Sequence, residues 1–141
     1  MIAKHIKNQS ELEICFDIRK KVFVEEQGVP LEDEFDKYEN TAEHILGYYN
    51  DKPVGTGRMR IVDGIAKLER ICILASYRKY GLGKILVQKL EKIAKEKDIV
   101  KSKLHGQTHA QQFYEKLGYH KASQVFMEDG IPHLLMVKNL S

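Results

Sequence analysis

Apolar and polar residues alternate along this chain in two rhythms, and the switches between them outline its elements. Ile2 to Ile6, "IAKHI", alternates strictly and predicts a half-buried first strand. Further on, Leu12, Cys15, Ile18, Arg19, Val22 and Phe23 recur at helical spacing behind a capping-box pattern at Ser10 and Glu13. That helix should end near Gly28, with Pro30 beyond it. The stretch "VPLEDEFDKYENT" is too polar for a core and too long for a simple connector, so it reads as an acidic loop.

Strand-like runs follow, "EHILGYYN", "PVGTGRMRIV" and "IAKLERICIL", separated by the turn signals "NDKP" and Asp63-Gly64. They predict an antiparallel meander. Leu82, Leu86, Leu90, Ile93 and Ala94 then return to helical spacing, with Lys84, Gln88, Lys92 and Lys95 on the other face. "KSKLHGQ" is a short strand. Thr108 and Gln111 form a second capping box for "HAQQFYEKLG", which Gly118 should end. "YHKASQVF" and "HLLMVKN" close the chain as two strands joined by "EDG". The order predicts a mixed α/β fold whose sheet is largely antiparallel and flanked by helices.

Composition narrows the classes. A chain of 141 residues, 43% hydrophobic and 30% charged, suits one soluble globular domain spanning residues 1–141. With 23 basic against 20 acidic side chains the net charge is +3, too mild to imply nucleic-acid binding. A small anionic ligand remains compatible with it. No apolar run approaches the roughly 18 residues of a membrane span, and no secretory h-region opens the chain. Cys15 and Cys72 sit among apolar residues, as buried free thiols would. A cytoplasmic protein with no membrane partner is expected.

The densest chemical signal is "RKYGLGK", Arg78 to Lys84, between an apolar strand and a helix. A strand that runs through glycines into a helix aims several backbone N–H groups and the positive end of the helix dipole at one point. Arg78, Lys79 and Lys84 add charge around Tyr80, Gly81, Leu82 and Gly83, as a diphosphate site requires. A Walker A loop is excluded, because Arg78 stands where its first glycine belongs and Ile85 where its hydroxyl belongs. A dinucleotide fingerprint lacks its third glycine, where Leu86 stands.

Arg78, Gly81 and Gly83 do satisfy R-x-x-G-x-G, and here the chain resembles the GNAT superfamily of acyl-CoA-dependent N-acetyltransferases, whose motif [QR]-x-x-G-x-[GA] cradles the pyrophosphate of coenzyme A. "FYEKLGY", Phe113 to Tyr119, resembles the family's second signature, and "RKKVFVEEQ" and "EDGIPHLLM" resemble its small YjcF-like or ElaA-like branch. The resemblance implies acetyl-CoA as cofactor and an acyl-CoA N-acyltransferase fold splayed between its fourth and fifth strands. It also places the backbone of Ile71, Cys72 and Ile73 along the pantetheine arm and Tyr114 at the sulfur. Many members carry Asn where Gln107 stands, so that contact departs from the family pattern.

A phenol with a reference pKa of about 10 can hydrogen-bond the thiolate of a thiol whose own is about 8.5. For the base, Glu69 on the fourth strand is the first choice, with His44 and His133 as runners-up. Cys72 could accept an acyl group in a ping-pong scheme, but no basic or histidine neighbour in sequence lowers its pKa. His105 and His109 straddle a strand end and a helix start with no cysteine beside them, so no metal is expected. The acceptor is expected to be a small-molecule amine. The acidic stretch Glu25 to Glu39, which the resemblance places beside the acceptor pocket, suits a cationic one. Arg19, Phe23, Gln27 and Arg58 are further pocket candidates, and the family's habit of pairing allows a homodimer. Two other readings stay open: a module that binds acyl-CoA without turnover, and a nucleotide-binding phosphotransferase.

Overall fold

The computed structural model describes all 141 residues. The strands are β1 (Ile2–His5), β2 (Glu43–Tyr49), β3 (Lys52–Val62), β4 (Ile65–Ile73), β5 (Lys101–Gln107), β6 (His120–Lys121), β7 (Phe126–Glu128) and β8 (Ile131–Asn139). They form one sheet in the order β1-β2-β3-β4-β5-β8-β6, with β7 also on β8, and every pairing is antiparallel except β4 with β5. The helices are α1 (Gln9–Arg19), which runs on as a π-helical segment Lys20–Glu26, then α2 (Leu31–Glu34), α3 (Leu82–Glu96) and α4 (Gln111–Lys116). No helix is long and apolar enough to cross a membrane. The mixed, mostly antiparallel α/β architecture expected from the chain's periodicity is the one observed.

Each face of the sheet is covered by the helix whose apolar stripe predicted it. Leu82, Leu86, Leu90 and Ile93 of α3 lie in the larger core with Ile45, Met59 and Leu68. A Cβ at Gly55 or Gly57 would come within 3.2 Å of Leu82 or Leu86, or 3.1 Å of Leu90, so these strand glycines are the groove that seats the helix. On the opposite face Cys15, Ile18 and Val22 pack with Ile6, Leu46 and Cys72.

Local details differ from the sequence expectation for identifiable reasons. The first cap is Asn8, not Ser10: its side-chain oxygen accepts from Glu11 N at 2.8 Å, and its amide donates to Glu11 Oε1 at 2.9 Å. Thr108 forms no cap, because residues Thr108–Ala110 are a 3₁₀ turn and α4 begins at Gln111 without a side-chain cap. The acidic loop contains the one-turn helix α2. "YHKASQVF" is two short strands, interrupted where the Ser123 hydroxyl replaces a strand carbonyl and accepts from Leu135 N at 2.9 Å.

Candidate active site

Strands β4 and β5 are paired only at Ala66–Leu68 against Ser102–Leu104. Beyond that point they part, and the backbone from Glu69 to Ile73 faces a cleft instead of a neighbour. At that point Arg70 has φ +55°, a left-handed conformation a non-glycine residue adopts at a cost of about 1–3 kcal/mol. The register with β3 shifts there as well, between Thr56↔Cys72 and Arg58↔Glu69. The cleft has a volume of about 620 Å³.

Of the sequence candidates, Phe23, Gln27, Glu69, Ile71, Cys72, Ile73, Arg78, Gly81, Gly83, Gln107, Tyr114 and His133 line it. One end is closed by the start of α3. Residues Ala75–Tyr80 make a 3₁₀ turn, Gly81 turns the chain at φ +84°, and α3 starts at Leu82. Its first N–H groups have no partner within the helix. The two glycines serve different ends. Gly81 has open space around its missing side chain and is required for its backbone angle, whereas a Cβ on Gly83 would come within 3.1 Å of the Phe113 ring. Leu82 is fully buried, so only its backbone can reach a ligand. Tyr80 stacks on Tyr49 with centroids 4.3 Å apart, the Lys79 ammonium sits over Tyr80, and Lys84 points to solvent; none of their side chains lines the cleft. A bare cradle of N–H donors at a helix start, with a cation beside it, fits a diphosphate.

Two contacts bridge the cleft's walls. Arg78 donates to both Glu26 carboxylate oxygens at 2.6 Å and to the Ile73 carbonyl at 2.9 Å. Gln107 donates to Gln27 at 3.1 Å and is itself bonded to His109 at 2.6 Å. Glu26 belongs to the acidic stretch the sequence placed beside the acceptor pocket, whereas His109 was weighed only as a metal ligand.

Tyr114 projects from α4 over Gly106, where a Cβ would come within 3.2 Å of its ring. Its hydroxyl has no protein partner, and burial pushes its phenol up to about 12. Burial likewise pushes the Cys72 thiol far up, which leaves it a packing residue and a poor nucleophile.

The face of the sheet toward α2 carries an ion-pair network. Arg19 binds Glu34 at 2.9 Å and Glu39 at 2.7 Å; Arg58 binds Asp36 at 2.8 Å, Glu39 at 3.0 Å and Glu69 at 2.7 Å. Arg60 and Lys67 also hold Glu69, while Arg70 holds Glu34 and Asp36. Arg19 and Arg58 are therefore saturated and buried beneath the cleft instead of lining it. His44 lies with them, its Nε2–H donating to the Glu39 carbonyl at 2.8 Å. Burial alone would raise the Glu69 carboxyl, but Arg60, Arg58 and Lys67 outweigh it and hold it well below the usual carboxylate range. A carboxylate so depressed and so fully engaged takes a proton poorly at neutral pH, which weighs against Glu69 as the base. Within the acidic stretch, Glu34, Asp36 and Glu39 are spent on arginines, while Glu25, Glu32 and Asp33 are exposed.

A second polar group lies on the opposite wall. Glu128 Oε1 accepts from His105 Nδ1 at 2.8 Å, and its other oxygen stands 3.6 Å from His133 Nε2. The registers Gln107↔His133 and Glu128↔Ile131 bring these residues together. Alternation along "KLHGQ" and "IPHLL" was the only signal available, and it places His105 and His133 on one face without naming Glu128.

Residues 6–140 match the family described as "Acetyltransferase (GNAT) domain". The uncharacterized N-acetyltransferase YjcF of Bacillus subtilis is 48% identical over 140 residues, covering 99% of this chain and 100% of that protein. The crystal structure of Escherichia coli ElaA superposes with TM-score 0.85 at 28% identity, covering 98% of this chain and 99% of that one. An aminoglycoside 6′-N-acetyltransferase complexed with coenzyme A shares the fold at TM-score 0.76 and 17% identity, covering 100% of this chain and 98% of that one.

Proposed function

The chain belongs to the GNAT acetyltransferase family, and we propose that it transfers an acetyl group from acetyl-CoA directly to the primary amine of a small molecule. The observation that carries this reading is the opening of the sheet after Leu68 and Leu104, which joins the helix-start cradle to the Tyr114 hydroxyl through one cleft. That a protein of the same fold, the aminoglycoside 6′-N-acetyltransferase, is complexed with coenzyme A supports a coenzyme A cofactor.

When bound, the cofactor supplies a thioester carbonyl that nitrogen attacks and a sulfur that departs with the bonding pair. The N–H groups at the start of α3, with Arg78, hold the diphosphate. Backbone of Ile71 to Ile73, freed from β5, offers donors to the pantetheine arm and to the carbonyl. Tyr114, neutral below about pH 12, donates its O–H to the departing sulfur. Two buried thiols and the absence of any membrane-length helix are in keeping with a cytoplasmic enzyme.

Free-thiol release measured over a panel of primary amines tests the proposal, beside calorimetry with coenzyme A. Binding together with amine-dependent thiol release is expected. Binding without release leaves an acyl-CoA-binding module, and no binding at millimolar coenzyme A overturns the cofactor assignment. Arg78 is engaged by Glu26 before any phosphate arrives. In Glu26→Ala, calorimetry should show coenzyme A binding about two- to fivefold more tightly, the scale of a lost exposed ion pair. Unchanged affinity would mean that Glu26 and phosphate do not compete.

A further inference from the structure

We propose that His133 is the base that takes the acceptor amine's proton, with Glu128 and His105 as the residues that position it and pass the proton to solvent. The inference rests on the N-acetyltransferase reading above and supplies what Glu69 does not.

His133 is 6% exposed, and its Nδ1 lies 2.7 Å from the Ile131 carbonyl. A carbonyl only accepts, so Nδ1 carries the hydrogen and Nε2 keeps a free lone pair. That lone pair faces Glu128 Oε2 across 3.6 Å, a gap too wide for a hydrogen bond. Both atoms are acceptors. Two acceptors facing one another on a cleft wall make a place for an N–H donor, and an ammonium can donate to both at once. The Phe126 ring holds the arrangement, stacked on His133 at 6.1 Å and edge-on to His105 at 5.0 Å.

Glu128 lies between two histidines. His105, bonded to it, holds its carboxyl below the usual range, so it is an anion in the working enzyme. Other charged groups facing the cluster are few: Lys67 on β4 acts on Glu128 but is held by Glu69 at 3.0 Å, and Asp129 lies on the exposed β7–β8 turn. Other candidate bases are occupied. Glu69 is engaged by three cations, His44 is buried in the network, and His109 is bonded to Gln107.

The proton balance is simple. An N–H bond of the ammonium breaks, a new N–H bond forms at His133 Nε2, and nitrogen keeps the electron pair with which it attacks. Glu128 balances the imidazolium charge. That proton then leaves to water at the partly exposed edge where Glu128 and His105 meet. The second proton, shed by nitrogen once it has bonded to carbon, ends on the departing sulfur. One proton per turnover thus reaches solvent.

Two measurements test the assignment. In the ligand-free protein, long-range proton–nitrogen spectra should show neutral His133 as its Nδ1–H tautomer, with Nε2 bare. In steady-state assays, His133→Ala should lower kcat/KM by about 100-fold with the best alkylamine of the panel at pH 7. The loss should shrink to a few-fold with that amine's β,β-difluoro analogue, whose ammonium the fluorines acidify to near pH 7, so that much of it is already free amine and needs no base. Coenzyme A affinity should be unchanged in the variant. Equal losses with both amines, or a His133 that carries its hydrogen on Nε2, would overturn the assignment while thiol release by wild type leaves the enzyme reading standing. Absence of release by wild type with every amine sinks that reading instead, and the tautomer still decides whether Nε2 is free to accept a proton.

Discussion

Arg58→Ala should lower the free energy of unfolding by about 3–5 kcal/mol at neutral pH, the scale expected when one partner is removed from a buried ion cluster. The Arg58 guanidinium is 1% exposed and holds Asp36, Glu39 and Glu69 at once. Without it, Asp36, Glu39 and Glu69 lose a counter-charge they share, and the arginines that remain, Arg19, Arg60 and Arg70, are already engaged. Arg58→Lys restores the charge without the fork geometry and should recover only part of the loss. The effect should depend on pH with a definite sign. Asp36, Glu39 and Glu69 are all held below their ordinary range, so their contribution is full above about pH 4.5 and is lost as pH falls. The gap between wild type and Arg58→Ala should therefore narrow on acidification. Urea unfolding at pH 7 and at pH 3.5 measures both, and a variant within about 1 kcal/mol of wild type at pH 7 would show that the network orders the wall without stabilising it.

The same network marks where sequence reading ran out. Arg19, His44 and Arg58 sit on elements whose periodicity was plain, so their faces could be assigned, Arg19 and Arg58 as pocket candidates and His44 as a possible base. What the pattern could not show was which carboxylates would meet them. Arg58 reaches Asp36 across 22 residues, and Arg78 reaches Glu26 across 52. Pairing at such separations is a property of the folded sheet and leaves no local trace. Helix α3 was legible for the opposite reason, since its leucine stripe and the strand glycines that receive it are both written in short-range order. The interrupted strand after Gly118 was not, because the group that stops it is a serine hydroxyl whose partner is Leu135 on a different strand. In the site itself, the glycines could be named from the motif and Tyr114 from the family resemblance. Glu128 could not, since it enters the cleft only through the β7–β8 register.

Tyr114→Phe should lower kcat by about 1000-fold while leaving coenzyme A affinity within about twofold, the upper-middle of the range for a lost general acid. The ring does the packing, over Gly106 and edge-on to Phe113 and Tyr119 at 5.0 and 6.0 Å, and phenylalanine keeps it. The hydroxyl has no protein partner to orphan, so its removal should cost little stability. Its loss should tell only when negative charge develops on sulfur in a site from which water is largely excluded, which is why the deficit belongs in kcat. His133→Ala is expected to cost less, because its cluster opens to solvent and water can carry some of the proton flow. An independent readout fixes the phenol's environment. A tyrosine whose folded pKa is raised from 10.0 to about 12 contributes stability that is present below pH 10 and is lost as pH rises toward 12. Tyr114→Phe should remove that part of the alkaline destabilisation, leaving the part due to Tyr119. Wild-type kcat in the variant would strip Tyr114 of its role as acid, and an unchanged alkaline unfolding profile would show that the phenol does not sit in the dry environment on which that role depends.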